Sequence, residues 1–90
     1  MVKVLVKKLD QDVNLPSYKT GGSSGLDLMA FIKEPVKIFP QTSEIIPTGL
    51  SIAIPNDVEI QIRPRSGLAA KFNISVLNTP GTIDSDYRGE

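Results

Sequence analysis

The sequence has no cysteine, no histidine and no tryptophan among its ninety residues. The absence of cysteine excludes disulfide bonds, thiolate nucleophiles and thiolate-bound metals. The absence of histidine excludes serine–histidine catalysis and the usual zinc and copper ligands. An enzyme made from this sequence must therefore use carboxylates, hydroxyls, Lys or Arg and backbone amides. A bound metal must be one that prefers oxygen ligands, and Mg²⁺ is favoured.

The sequence also has no net charge, because ten Lys and Arg residues balance ten Asp and Glu residues. Its pI of about 6.2 gives no global field that attracts nucleic acid or an anionic membrane. No apolar run approaches the roughly 20 residues of a membrane span, and residues 1–8 are too short and too charged for a signal peptide. We expect a cytoplasmic protein without nucleic-acid or membrane partners.

A chain of 9.8 kDa is long enough for a single domain, here residues 1–90. Area scaling predicts roughly 5,200 Å² of exposed surface when folded and roughly 14,000 Å² when unfolded, so about 64% of the surface would be buried. This predicts a small core, to which contact with a partner subunit would add.

Apolar residues recur with a period of two in three segments, residues 2–6, 50–54 and 58–62, and these predict strands. Shorter apolar pieces lie at 26–32, 36–39, 44–46 and 74–77. Seven prolines and several Gly and Asn residues separate them, which is typical of an all-β sandwich or barrel. Residues 66–71 instead favour a short helix with Ser66 as its N-cap. The Gly- and Ser-rich residues 20–25 predict a loop.

Charge is distributed unevenly near the end of the sequence. Residues 63–72 contain three cations and no anion, whereas residues 84–90 contain three carboxylates and one arginine. A helix start with a serine hydroxyl and a guanidinium suits phosphate, and carboxylates in a turn suit water activation or a metal. Two interpretations remain open on this basis: hydrolysis of a phosphorylated compound, or a helix cap beside a solvated acidic turn.

Three segments resemble the first three signature motifs of the trimeric deoxyuridine triphosphate nucleotidohydrolases (dUTPases). They are SGLDLMA at 24–30, RSGLAAK at 65–71 and NTPGTIDSDYRGE at 78–90, and LPSY at 15–18 fits the approach to the first motif. The third is long and the most specific. The family's fourth and fifth motifs are absent from these ninety residues, so we expect the C-terminal part of the family domain to be missing here.

The resemblance implies a distorted jelly-roll-like β-barrel with one short helix, assembled as a homotrimer with active sites at subunit interfaces. It also implies that the protein is a dUTP diphosphatase, which converts dUTP and water to dUMP and pyrophosphate with Mg²⁺. Such an enzyme limits uracil incorporation into DNA and supplies dUMP for dTTP synthesis.

Individual roles follow from the motif positions. Asp84 resembles the catalytic carboxylate that orients the attacking water, and Tyr87 resembles the aromatic residue that packs on deoxyribose and refuses ribonucleotides. Asn78 and Gly81 resemble the residues at the uracil, in a hairpin over 78–87 that also places Thr82 and Ile83 against the substrate.

Arg65, Ser66 and Gly67 resemble the phosphate-binding residues of the second motif. Asp27 resembles the first-motif carboxylate that contacts Mg²⁺ indirectly, through water. Each position also has a structural interpretation, such as a turn-capping Asp84, a helix-capping Ser66 or a surface ion pair at Arg65.

Two other functions compete with this interpretation. A dCTP deaminase of the same fold would need a different second motif, and Arg65-Ser-Gly argues against it. The other is a truncated, non-catalytic module of the same fold that binds nucleotide or serves in assembly. A nucleic-acid-binding barrel is weaker, because three Phe, two Tyr and zero net charge make a poor stacking groove.

Overall fold

The computed structural model describes all ninety residues, Met1–Glu90. Its elements are β1 (Leu5–Lys8), β2 (Leu50–Ala53), β3 (Ile60–Ile62), α1 (Ser66–Phe72) and β4 (Gly81–Ile83). Strand β1 pairs with β2, and β3 pairs with β4, in two separate two-stranded sheets. The chain forms two compact units: a first unit of Leu5–Ile52 with Arg88–Glu90, and a second unit of Ala53–Tyr87 with Met1–Val4.

The predicted all-β class with one short helix is confirmed. Strands β1, β2 and β3 each overlap a segment with a two-residue apolar period, and the exposure of β3 alternates because Gln61 faces solvent between two half-buried isoleucines. The four shorter apolar pieces form no strands. Residues 20–25 are a loop as predicted, with a turn that the Ser23 N–H closes on the Thr20 carbonyl at 3.2 Å.

The N-cap of helix α1 lies one residue earlier in the sequence than predicted. Arg65, in an extended conformation, occupies the N-cap position, no side chain caps the helix, and Ser66 is already helical. The prediction of Ser66 as N-cap is therefore wrong. The helix ends at Asn73, whose left-handed backbone (φ 56°) lets the N–H groups of Asn73 and Ile74 bond back to Ala69 and Leu68. Asparagine tolerates this conformation better than most residues.

Gly49 fixes the core of the first unit. Its φ of +71° is left-handed, and a Cβ there would lie 2.4 Å from Val13 Cγ2 and 3.2 Å from the Phe31 ring. Its carbonyl accepts the Leu9 N–H at 2.8 Å, and its own N–H donates to the Glu90 carboxylate at 2.6 Å. Only glycine satisfies this backbone conformation and this close packing together.

The chain buries much less surface than its size predicts. Val13, Leu50 and Ile54 are the only buried hydrophobic side chains, and twenty-one large hydrophobic residues are exposed. The accessible surface is 7,702 Å², so about 46% of the unfolded chain's surface is buried rather than 64%. The expected small core is thus smaller still, and the accessible surface exceeds the expected value by about 2,500 Å².

Helix α1 is not long and apolar enough to cross a membrane.

Replacing Gly49 with alanine tests this packing. We expect Gly49→Ala to lower the free energy of unfolding by about 2–4 kcal/mol, because the new Cβ meets Val13 and the positive φ becomes strained. Urea denaturation measures the loss. Gly25→Ala is the control, since a Cβ at Gly25 meets nothing within 4 Å. A loss no larger in Gly49→Ala than in Gly25→Ala would contradict the packing argument.

Candidate functional site

The antiparallel pair of β3 and β4 is the frame of the candidate site in the second unit. Ile60 pairs with Ile83, Gln61 with Thr82 and Ile62 with Gly81. The connection that contains α1 leaves the sheet after Ile62 and returns at Gly81, so it begins and ends at one end of the pair. The segment that starts at Asp84 leaves from the other end. Nine of the ten predicted site residues lie in this unit, and Asp27 lies in the first unit.

Asn78 lies in a tight turn directly before β4. The turn spans residues 76–79 and is closed by the Thr79 N–H, which donates to the Val76 carbonyl at 3.2 Å. The Thr79 hydroxyl donates to the same carbonyl, and Ser75 Oγ lies 3.2 Å from Thr79 Oγ1. Asn78 is therefore exposed on a turn that is held by both backbone and side-chain hydrogen bonds.

Gly81 brings the Asn78 amide close to the first residue of β4. Gly81 is buried, and a Cβ there would lie 3.3 Å from Asn78 Oδ1 and 3.6 Å from Ile62 Cβ. Its backbone is not left-handed, so glycine provides space at this position and not conformational freedom. We expected Gly81 to make room for a ligand; within this chain it makes room for the Asn78 side chain.

The segment 78–87 does not form the hairpin that the sequence predicts. It contributes one strand, β4, between two turns, and that strand pairs with β3. The hydrophobic pairing of Ile83 with Ile60 explains the choice of partner, because the other half of the segment has no apolar alternation. In a two-stranded sheet, β4 has one edge without a strand partner, and such an edge presents N–H and C=O groups. Thr82 is exposed and Ile83 is half-buried.

Asp84 opens the turn that follows β4. The Tyr87 N–H donates to the Asp84 carbonyl at 3.1 Å, so backbone atoms close this turn across residues 84–87. Asp84 itself is exposed, and the turn does not depend on its carboxylate. The Tyr87 side chain is 47% exposed. A carboxylate and a partly exposed aromatic ring thus lie three residues apart on one tight turn.

Arg65, Ser66 and Gly67 are all exposed at the start of α1. Because no side chain caps the helix, the Ser66 hydroxyl is not used for capping. A Cβ at Gly67 would meet nothing within 4 Å, so nothing inside the chain requires glycine at this position. A hydroxyl, a guanidinium and an open glycine are therefore adjacent on the surface.

The neighbouring Arg63 belongs to a different arrangement. Its guanidinium donates to Gln61 Oε1 at 2.9 Å, and Gln61 Nε2 donates to Glu59 Oε2 at 3.2 Å. This row runs along the exposed face of β3. Of the three cations in residues 63–72, Arg63 is thus engaged with its own strand, and Lys71 lies in the last turn of α1, where a cation stabilises the helix dipole.

Asp27 is half-buried in the first unit and lines a surface depression of about 230 Å³ together with Asp12, Lys19 and Thr48. No three acidic side chains converge anywhere in the chain, so the chain has no protein cage for a metal. The two carboxylates that line the depression, Asp12 and Asp27, fit a cation that keeps most of its water or takes other ligands from a substrate, as Mg²⁺ commonly does.

Sequence reasoning missed Ser75 and Thr79 as supports of the Asn78 turn. A threonine directly before proline, with a serine four residues earlier, was a weak local signal for hydroxyl groups in a turn. It also missed the bond between Gly49 and Glu90, which joins residues 41 positions apart. Nothing local in the sequence indicates that contact.

Comparison with known proteins gives one family. Residues 11–90 match the family model described as dUTPase. The chain is 59% identical over 83 residues to the deoxyuridine 5′-triphosphate nucleotidohydrolase of Treponema denticola, covering 92% of this chain and 58% of that protein. It is 55% identical over 91 residues to the protein of the same name from Fusobacterium nucleatum, an alignment that covers 100% of this chain and 62% of that protein. It is 53% identical to the protein of the same name from Neorickettsia sennetsu, and this alignment covers 98% of this chain and 59% of that protein. The chain spans about three fifths of the length of these relatives.

Proposed function

Because the chain belongs to the dUTPase family, we propose that the protein hydrolyses dUTP to dUMP and pyrophosphate. It would thereby limit uracil incorporation into DNA and supply dUMP for dTTP synthesis, in the cytoplasm. The observation that carries the proposal is the arrangement around β4. An amide group lies on the turn before the strand, and a carboxylate and an aromatic ring lie on the turn after it.

The proposed reaction is the attack of water on the α-phosphorus. Asp84 orients the water and accepts its proton, the new P–O bond forms, and the bond from the α-phosphorus to the bridging oxygen breaks. Pyrophosphate leaves with the electron pair of that bond. The exposed Asp84 carboxylate suits this role, because the backbone and not the carboxylate closes its turn.

The uracil would be recognised by the Asn78 amide and by backbone groups on the open edge of β4. Gly81, Thr82 and Ile83 supply that edge. Thymine would be excluded by its methyl group, and cytosine by its reversed hydrogen-bonding pattern. The polar mismatch would be the costlier of the two, because it leaves polar groups unpaired.

The sugar and the phosphates would be bound by side chains on the surface of the same unit. Tyr87 would pack on the deoxyribose and leave no room for a 2′-hydroxyl. Arg65 and Ser66 would hold phosphate oxygens through charge-assisted hydrogen bonds. Gly67 would allow the phosphates to approach the backbone closely, which agrees with the open space around it.

Mg²⁺ would be bound mainly by the triphosphate, with Asp27 contacting it through water. When bound, the ion neutralises charge that develops on the phosphate oxygens. The depression beside Asp27 has only one other carboxylate, that of Asp12, which supports an indirect contact over a direct one.

We further propose that the protein acts as a homotrimer with active sites between subunits. The support is the excess of about 2,500 Å² of accessible surface over that of a compact monomer. Two contacts of standard size would cover roughly 1,600 Å² per subunit, which is less than the excess surface.

The first test is pyrophosphate release by this chain with Mg²⁺ and each of dUTP, dTTP, dCTP and UTP. Selective turnover of dUTP would support the proposal. Ammonia release from dCTP would indicate a deaminase of the same fold. If no nucleotide is turned over, dUMP binding and a chimera extended with the C-terminal part of the Treponema denticola relative separate the cases. A chimera that binds dUMP but hydrolyses nothing would identify a binding module.

Asp84→Asn tests the catalytic carboxylate. We expect turnover of dUTP to be lost while the free energy of nucleotide binding changes by no more than about 1–2 kcal/mol, because only the proton acceptor is removed. Steady-state kinetics and dUMP titration measure the two effects. Asp86→Asn, in the same exposed turn, is the matched control and should retain turnover. A normal kcat in Asp84→Asn would remove Asp84 from the mechanism.

Tyr87→Ala tests the selection of deoxyribose. Removal of the ring should admit UTP, so that the ratio of kcat/KM for dUTP over UTP falls by at least about tenfold. Tyr87→Phe keeps the ring and should keep the ratio. An unchanged ratio in Tyr87→Ala would refute the packing role, whatever the effect on overall activity.

Gly67→Ala should move stability and binding in opposite directions. Alanine favours the helix and meets no atom, so the free energy of unfolding should rise by about 0.5 kcal/mol. The same methyl group should obstruct the phosphates and raise KM for dUTP several-fold. Thermal denaturation and kinetics measure both changes, with Gly22→Ala as a control in open space. An unchanged KM would show that phosphate does not approach Gly67.

A further inference from the structure

Two hydroxyl groups hold the turn that carries Asn78. The Thr79 side chain donates to the Val76 carbonyl, three residues back, and Ser75 Oγ lies 3.2 Å from Thr79 Oγ1. Backbone atoms close the same turn, with the Thr79 N–H donating to that carbonyl at 3.2 Å. One carbonyl thus accepts from both the main chain and the side chain of Thr79.

The direction of these bonds follows from hydrogen counting. A hydroxyl group has one hydrogen, and that of Thr79 points to the Val76 carbonyl. Ser75 also has one hydrogen, and the nearer acceptor for it is Thr79 Oγ1 at 3.2 Å; the Val76 carbonyl, at 3.5 Å, is the more distant acceptor for the same hydrogen. The result is a short chain of hydrogen bonds, which removes rotational freedom from both side chains and from the turn between them.

The turn determines where the Asn78 amide lies. On one side, Asn78 Oδ1 is 3.3 Å from the position that a Cβ on Gly81 would occupy. On the other side, Asn78 is exposed, so Gly81 alone does not fix its direction. The hydroxyl pair adds a second constraint, beside the Thr79 N–H bond, on the backbone that carries Asn78.

We propose that Ser75 and Thr79 are positioning residues for base recognition, which hold the Val76–Thr79 turn so that the Asn78 amide faces the base in one orientation. This inference rests on the proposed function and extends it. Uracil and cytosine differ at one edge by the exchange of an acceptor for a donor. An amide held in one position distinguishes them, and an amide that is free to move or turn over accepts both.

Thr79→Val tests the proposal, because valine has the shape of threonine without the hydroxyl. The backbone bond that closes the turn remains, so the fold should persist. We expect the preference for dUMP over dCMP, measured as the ratio of the two Kd values by titration calorimetry, to fall about five- to tenfold. The ratio of kcat/KM for dUTP over dCTP should fall by a similar factor, with most of the change in KM.

Thr42→Val is the matched control. Thr42 also donates its hydroxyl and its N–H to a carbonyl three residues back, that of Phe39, in a turn of the first unit without proposed base-binding residues. A general loss of stability would reduce the active fraction equally for both nucleotides and leave each ratio unchanged. Thr79→Ser should restore the preference, and Ser75→Ala should lower it by a smaller factor.

The outcomes separate the inference from the function on which it rests. If the unaltered protein does not prefer dUMP to dCMP, both the proposed function and the inference are overturned. If it does and Thr79→Val keeps the same ratio, only the inference is overturned. A shift of the Asn78 side-chain amide resonances in Thr79→Val, and not in Thr42→Val, would support it directly. Should Thr79→Val fail to fold, Ser75→Ala decides: an unchanged ratio there overturns the inference.

Discussion

The pairing of three residues of β3 with three of β4 positions the two turns that carry Asn78 and Asp84. The register of Ile62 with Gly81 and of Ile60 with Ile83 decides which residues leave the sheet at each end. The Asn78 turn precedes the strand at one end, and the Asp84 turn follows it at the other. A shift of one residue would exchange the half-buried isoleucines for Gln61 and Thr82. The apolar side of this small sheet therefore sets the positions of the polar groups on the turns at its two ends.

Much of this arrangement could be predicted from the sequence, and the remainder has physical reasons. The two-residue period of apolar residues predicted β2 and β3, and the helix-forming residues after Arg65 predicted α1. Both predictions were possible because these signals are local in the sequence. The N-cap was assigned wrongly to Ser66, since capping depends on backbone angles that composition does not specify. The hairpin over 78–87 was wrong because a strand chooses its partner by apolar complementarity at long range. The hydrogen bond between Gly49 and Glu90 joins residues 41 positions apart, so no local sequence pattern could predict it.

The difference between the expected and the observed accessible surface also arises from contacts that a local sequence pattern does not specify. Area scaling assumes a chain that buries its own apolar residues, and here twenty-one large hydrophobic residues remain exposed. The number of apolar residues can be read from the sequence, but the sequence does not show whether they are covered by this chain or by another molecule. The relatives that the chain matches are longer than it is, and the proposed assembly is a trimer. The additional length of the relatives and the proposed neighbouring subunits both lie outside these ninety residues, so an isolated chain with a small core agrees with membership in the family.

Helix α1 lies within the connection between the two paired strands, and this bears on how the site forms. The connection runs over eighteen residues, from Arg63 to Pro80, and closing a flexible loop of that length costs about 2.6 kcal/mol of chain entropy plus a constant. The helix orders seven of those residues through local bonds. Nine of the ten proposed site residues lie between Arg65 and Tyr87. The helix shortens the flexible chain that must close before β3 and β4 pair, so it lowers the entropy cost of bringing these residues together.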